Sequence, residues 1–264
     1  YRDLLERLRA LGSVAVAFSG GVDSALLLHA AREVLGNRAI AITTQSRLFP
    51  QRELDEAIAF CREREIPQVI VPTHELEDEA FRRNPPERCY LCKTGLLKTV
   101  IDTANGRGIE TVVEGSNVDD EGDYRPGSQA IAELGVLSPL KEVGLTKRDI
   151  RELSHAKGLP TWDKPSFACL ATRFAFGTHL NEERLALIDE AEQFLLDQGF
   201  HQVRVRYHGP AARVEVRADE VERLDLPENR QAVERKLGEL GFEHVMIDLE
   251  GYHTGNMNVA SEGV

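Results

Sequence analysis

Residues 13–36 read SVAVAFSGGVDSALLLHAAREVLG, and this run decides the fold. It opens with an apolar stretch of strand length, SVAVAF (13–18), and closes with a helical period that Gly36 stops. Between them stand Ser19-Gly20-Gly21-Val22-Asp23-Ser24. Two glycines let the backbone turn sharply and bring bare N–H groups up to a ligand. The helix that follows points the positive end of its dipole at the same spot, so the run reads as strand, anion loop, helix. The GxxxxGK[ST] pattern and its lysine are missing, which argues against a P-loop kinase or GTPase. G-x-G-x-x-G is missing as well, which argues against a dinucleotide fold. The plainer alternative is a tight strand–helix turn capped by Asp23 or Ser24. So many small or capping residues directly after an apolar strand favour the anion loop.

Outward from this run, short apolar stretches alternate with helical periods. RAIAITT (38–44), PQVIVPT (67–73) and ETVVEGS (110–116) read as further strands. The stretches 50–65 and 93–108 read as the helices between them, and Thr146 as the N-cap of a helix ended by Gly158. Strands alternating with helices give βαβ units, hence an α/β fold with a parallel sheet covered by helices on both faces. After about residue 178 the texture changes to α-β-β-α-β: a long amphipathic helix, then HQVRVRYH and ARVEVRA joined at Gly209-Pro210, then a helix near 227–240 and the strand HVMIDL. Their strict alternation predicts a partly solvated antiparallel sheet. Two domains are expected, 1–177 and a smaller α+β domain, 178–264.

Composition narrows the class. The chain has 264 residues, 42% apolar and 29% charged, which excludes wholesale disorder. Its formal charge of −12 is spread along the sequence and disfavours polyanionic partners, so no nucleic-acid partner is expected. No run is apolar enough for a membrane span. The opening segment YRDLLERLRALGS is charged and amphipathic, unlike a signal peptide, and a short leader is expected to precede Tyr1. Four cysteines make no disulfide scaffold, and the expected compartment is the reducing cytoplasm.

Two of those cysteines stand as Cys89-Tyr90-Leu91-Cys92-Lys93 at the entry to a helix, and Cys169 follows much later in Phe167-Ala168-Cys169-Leu170. Helix starts and nearby cations, here Arg88, Lys93, Lys164 and Arg173, favour thiolates. Three thiolates without a fourth suit a 4Fe–4S cluster with one iron open to an external ligand. A redox CxxC pair beside a buried Cys169 is one alternative. Zinc is another, with His74 or His155 as the fourth partner. Cys61 shares helical spacing with Leu54, Ala57 and Ile58 and is expected in the core.

The hexapeptide 19–24 resembles the PP-loop of the ATP pyrophosphatases, which implies ATP cleavage to AMP and pyrophosphate. By that resemblance Ser19, Gly20, Gly21, Val22, Asp23 and Ser24 hold ATP, with the adenine near Phe18, Thr43 and Gly115. Cys89 to Lys93, EGSNVDDEGDYRPG (114–127), SPLKEVGLTKRDIREL (138–153), WDKPSFACLATR (162–173) and RVRYHGPAARVEV (204–216) together resemble the LarE family. LarE enzymes are ATP-dependent sulfur transferases that build the nickel-pincer nucleotide of lactate racemase. The resemblance implies that a carboxylate of pyridinium-3,5-biscarboxylate mononucleotide is adenylated and converted to a thiocarboxylate. Cys169 matches the sulfur-donating cysteine of members that give up their own sulfur and stop after one turnover. The added Cys89 and Cys92 depart from that pattern and favour the three-cysteine variant, with a sulfide on the cluster as nucleophile. The resemblance also implies a homo-hexamer.

Arg204 and Arg206 share one face of a strand, and two guanidinium forks side by side suit a phosphate monoester. The bland alternative for that pair is a solvated polar face opposite Val203 and Val205; Arg173, close to Cys169, is a third candidate, able to steer the anionic substrate or the adenylate. Asp119, Asp120 and Glu121 are candidate Mg²⁺ ligands. The rival readings are a cluster-dependent tRNA thiolation enzyme, an ammonia-dependent synthetase with structural cysteines, and a nucleotide sensor.

Overall fold

Strand β1 (Val14–Ala17) is sandwiched, its side chains alternating between two cores. Val14 and Val16 join Leu4, Leu8, Leu26, Ala57, Phe60 and Ile150 on one side of the sheet. Ala15 joins Ile40, Ile42, Leu97, Val100 and Val112 on the other. The computed structural model describes residues 1–122 and 126–253. Around β1 the chain runs α1 (Arg2–Leu11), α2 (Val22–Leu35), β2 (Ala39–Gln45), α3 (Gln51–Glu63), β3 (Gln68–Pro72), α4 (Glu79–Arg82), α5 (Arg88–Asn105), β4 (Val112–Val113) and α6 (Pro126–Glu133). There follow α7 (Pro139–Glu142), α8 (Lys147–Ala156), α9 (Glu182–Asp197), β5 (Arg204–His208), β6 (Ala211–Glu215), α10 (Val221–Leu224), α11 (Pro227–Glu239) and β7 (His244–Ile247). Among the described residues no helix is long and apolar enough to cross a membrane.

Two compact units result, one from Tyr1–Glu75 with Pro86–Phe167, the other from Leu76–Pro85 with the chain from Ala168 on. The second unit thus starts before residue 178 and takes in a short piece of the earlier chain. That piece is stitched in by hydrogen bonds: Leu180 N–H donates to the Arg82 carbonyl at 2.7 Å, and Asn84 Nδ2 to the Ala175 carbonyl at 2.8 Å.

The first unit holds a four-stranded parallel sheet in the order β3-β2-β1-β4. Helices α1, α2, α3 and α8 supply one core and α5 the other, which is the α/β layering expected from the sequence. β3 is the edge strand, so its side chains are only partly covered and Pro72 removes no ladder bond the sheet needs. The start of α8 is set by a capping box between Thr146 and Asp149.

In the second unit α9 lies on β5, and the sheet order is β5-β6-β7. The β5–β6 hairpin is antiparallel, but β7 pairs parallel to β6, so the all-antiparallel expectation is corrected to a mixed sheet. The reason is the connection: α11 carries the chain back across, and a helical crossover returns a strand in the same direction. The expectation of a solvated polar face is corrected too. Arg204 and Arg206 are 5% and 4% exposed, because carboxylates are buried with them.

Those carboxylates make a charged interior. Arg173, fully buried, forks onto Glu192 with two hydrogen bonds of 2.8 Å, and Glu192 also accepts the Val205 N–H at 3.0 Å. Arg206 and Arg213 stand directly opposite each other across the hairpin, a repulsive pairing that Glu215 resolves with 2.8 and 3.0 Å bonds to each. Burial opposes the charge of Arg173, yet Glu192 outweighs it and raises its pKa, so the pair stays ionised. Removing one partner leaves an uncompensated buried charge. Arg173→Met should therefore destabilise the protein by about 3–5 kcal/mol in chemical denaturation, and adding Glu192→Leu should recover most of that loss.

Candidate active site

The loop 18–21 leaves the carboxyl end of β1, where the strand order reverses between β1 and β4. In open α/β sheets ligands collect at that point, outside the strand ends. Gly20 has φ 73°, and a Cβ there would stand 3.1 Å from Ala57 Cβ, so both the turn and the packing of α3 ask for glycine. Gly115, just past β4, passes so close to α2 that a Cβ would meet Ser24 N at 3.0 Å and Asp23 Cβ at 3.2 Å. Ser24 Oγ donates to the Gly21 carbonyl at 3.1 Å and lies 3.2 Å from Ser19 Oγ. Val22 is buried at the first position of α2. Phe18 puts its ring in the core against Phe60, so it offers this end of the sheet its backbone, and its carbonyl accepts a 2.9 Å bond from Thr43 Oγ1. Thr43 in turn accepts from Gln68 Nε2 at 2.9 Å.

Asp23 is held from two sides. Asn117 Nδ2 donates to its Oδ1 at 3.2 Å, and Lys147 Nζ is in close contact with its Oδ2. On the loop's other side Lys164 Nζ reaches the Gly20 carbonyl at 3.4 Å while paired to Glu53 at 2.8 Å and Glu56 at 2.6 Å. Burial opposes that ammonium's charge, but the two glutamates win and its pKa is raised. Lys164, expected as a neighbour of the thiols, thus serves the loop and α3. Glu114 sits beside Gly115, buried, accepting from Ser138 Oγ at 2.6 Å and Ser116 N–H at 3.0 Å, with Lys93 at 3.4 Å. Burial would raise its pKa, but Lys93 and the serine hydrogen bonds hold it below the usual carboxylate range. Sequence reading missed Glu114, Asn117 and Lys147 as site residues. The signal available was the Thr146 cap, which fixes where Lys147 begins a helix without saying what it faces.

Asp119 and Asp120, expected at Mg²⁺, are turned to the backbone. Asp119 Oδ2 accepts the Lys147 N–H at 2.7 Å, and Asp120 Oδ2 accepts the Asn117 N–H at 2.9 Å. The Glu121 side chain lies outside the described residues.

Cys89 and Cys92 occupy the first turns of α5, three apart and so on one face. Cys89 is exposed and Cys92 half-buried. Cys169, half-buried, belongs to the second unit. Its carbonyl accepts from the Thr172 N–H at 3.0 Å, Thr172 Oγ1 at 2.8 Å and Arg173 Nη1 at 3.0 Å, which fixes the turn that carries the thiol. Among the described residues no three His, Cys, Asp or Glu side chains form a group that could hold a metal ion. His155, a candidate zinc partner, packs edge-on to Trp162 at 4.6 Å.

The three arginines expected at the substrate phosphate are drawn together in the second unit. Arg173 is committed to Glu192 and to the Ala168 and Cys169 carbonyls. Arg206 donates to the Thr172 carbonyl at 3.1 Å as well as to Glu215, and its Nε is buried without a hydrogen-bond partner. Arg204 donates to the Val203 carbonyl at 2.7 Å and lies 5.0 Å over the Tyr252 ring. Burial, and then the Arg173 charge, lower its pKa, against the opposing pull of Glu192.

No family model matches the chain. Over 256 residues it is 36% identical to the pyridinium-3,5-bisthiocarboxylic acid mononucleotide synthase of Lactiplantibacillus plantarum, covering 97% of this chain and 92% of that protein. The chain belongs to the LarE family of sulfur-transferring enzymes. An uncharacterised Synechocystis protein is 38% identical, with 96% of each chain covered. A more distant PP-loop enzyme, the argininosuccinate synthase of Haloarcula marismortui, is 28% identical over 56% of this LarE-family chain and 38% of its own length.

The thiols of this LarE chain differ in accessibility. Burial pushes the Cys61 thiol up to about 12. In the native protein at neutral pH, an aromatic disulfide reagent should therefore modify Cys89 first and leave Cys61 unreacted until denaturant is added. Mass mapping of the labelled peptides checks this order, and early labelling of Cys61 contradicts it.

Proposed function

We propose that this chain uses ATP to activate a carboxylate of a pyridinium-3,5-dicarboxylate mononucleotide as its adenylate, releasing pyrophosphate, and then replaces AMP with sulfur to give a thiocarboxylate. The observation that carries this reading is the loop Ser19–Ser24 at the reversal of strand order, braced by Gly115 and with Asp23 held by Asn117 and Lys147. In a chain related over nearly its whole length to a named bisthiocarboxylic acid mononucleotide synthase, such a loop suits pyrophosphate. A carboxylate is a poor electrophile until its oxygen can leave with AMP, so this loop supplies the leaving group the sulfur step needs.

Within this reading Ser19, Gly20, Gly21, Val22, Asp23 and Ser24 hold the phosphates, and Phe18, Thr43 and Gly115 flank the adenine. Arg204 and Arg206 take the substrate phosphate. The unpartnered Nε of Arg206 and the depressed pKa of Arg204 support a bound anion there. Arg173 acts through the Ala168 and Cys169 carbonyls it holds. The proposal extends to a 1–177 nucleotide domain and a 178–264 substrate domain, Mg²⁺ with the ATP, a cytoplasmic homo-oligomer, and small molecules rather than nucleic acid as partners.

For the sulfur step, Cys89, Cys92 and Cys169 are the residues that would hold a 4Fe–4S cluster, which when bound supplies an open iron able to carry sulfide. The second reading is that Cys169 gives its own sulfur. Its thiolate displaces AMP, the Cα proton is then lost, the Cβ–S bond breaks, and the residue becomes dehydroalanine. The carbonyl of Cys169, held three times over, favours that reading by fixing the attacking side chain.

Anaerobic protein given ATP and the mononucleotide should release AMP and pyrophosphate, and Asp23→Ala should lose both products while keeping its fold. Retained pyrophosphate release in Asp23→Ala overturns the loop assignment. Intact mass separates the sulfur mechanisms. Multiple turnovers with Cys169 unchanged fit the cluster, with Cys89→Ser losing all turnover. Loss of the mass of H₂S after one cycle, with Cys89→Ser still completing it, fits the sacrificial cysteine.

A further inference from the structure

The chain leaves the first unit after Glu75 and rejoins it at Pro86, and the residues between belong to the second unit. Near the end of this detour stands Asn84, fully buried and with φ 52°. A left-handed backbone is uncommon for any residue but glycine, and asparagine is one of the few side chains that tolerate it. Such outliers persist only where the surroundings enforce them. A buried amide must also find partners for its polar atoms.

The partners of Asn84 all lie in one stretch, 174–177. Its Nδ2 donates to the Ala175 carbonyl at 2.8 Å and to the Phe174 carbonyl at 3.4 Å, and its own carbonyl accepts the Gly177 N–H at 2.9 Å. This stretch is the exit of the turn that carries Cys169. Leu170–Arg173 form a single short turn, with Cys169 as its leading residue. At the entrance Arg173, pinned to Glu192, holds the Ala168 and Cys169 carbonyls. At the exit Phe174 bridges to Tyr207 of β5, and Asn84 holds the carbonyls of Phe174 and Ala175. The turn is thus clamped at both ends, and the second clamp comes from a residue far earlier in the chain.

We propose that Asn84 is a positioning residue for the sulfur step: by fixing the exit of the Leu170–Arg173 turn, it sets where the Cys169 side chain stands, and its left-handed backbone is kept for that purpose. This rests on the reading of Cys169 as a residue of sulfur transfer and deepens it. Asn84 itself touches no substrate and acts through the 174–177 backbone.

The test uses the full chain and the variants Asn84→Gly, Asn84→Asp and Asn181→Ala, each checked for its fold by thermal denaturation. Glycine takes a positive φ freely, so Asn84→Gly removes the amide and leaves the backbone conformation in place. Asn84→Asp keeps size and φ but turns an acceptor onto the two carbonyls. Asn181→Ala removes the N-cap of α9 in the same unit and controls for lost stability alone. Amide hydrogen exchange should accelerate at 170–177 in both Asn84 variants and stay as in the wild type along α9. In a single turnover with ATP and the mononucleotide, pyrophosphate release should stay within about twofold of the wild type, while thiocarboxylate formation falls about tenfold or more, since small misplacements of a reacting group are that costly. Asn181→Ala should keep both rates. If exchange at 170–177 is unchanged, if both steps slow together, if neither slows, or if Asn181→Ala gives the same split, the proposal is overturned while the sulfur-transfer reading stands. A wild-type chain that releases no pyrophosphate and forms no thiocarboxylate overturns both.

Discussion

The crossing of Gly115 over the first turn of α2 is the constraint on which the first unit's chemistry depends. A Cβ on Gly115 would stand only 3.0 Å from Ser24 N, so the end of β4 packs backbone to backbone on the start of α2. Everything after β4 inherits that position. Glu114 is turned inward to Ser138, Ser116 and Lys93, while Asn117 is carried over to Asp23. Lys93 is the residue after Cys92, so the cysteine-bearing start of α5 and the loop are braced by the neighbouring residues Glu114 and Gly115.

The second unit solves a different problem, which is how to bury arginines. Arg173 and Arg206, both buried, and the half-buried Arg213 have Glu192, Glu215 and Asp248 as ion-pair partners, and Arg204 is buried in the same small unit. Such a set is costly to desolvate and gains little stability over apolar packing, so its retention points to what the charges do. Arg173 and Arg206 both reach the backbone of the Cys169 turn, at the Ala168, Cys169 and Thr172 carbonyls. The same charges thus shape the turn that carries the Cys169 thiol.

Much of the architecture was legible in the sequence because it follows from local period and special backbone conformations. The run 13–36 determined a strand, a glycine turn and a helix; the alternation of strands and helices determined a parallel sheet; Cys61 was readable as core from its helical spacing. The Thr146 cap was readable from residue type. What only the tertiary structure decided lay in long-range pairing. The direction of β7 depends on how α11 crosses, which no alternation pattern records. The burial of Arg206 depends on Glu215 of the paired strand, which buries its carboxylate with it, so an apparently solvated face became an ionic interior. The partner of Asp23 stands 124 residues further on, at Lys147, because a charge pair is set by where two helices begin and not by what lies near either in the chain.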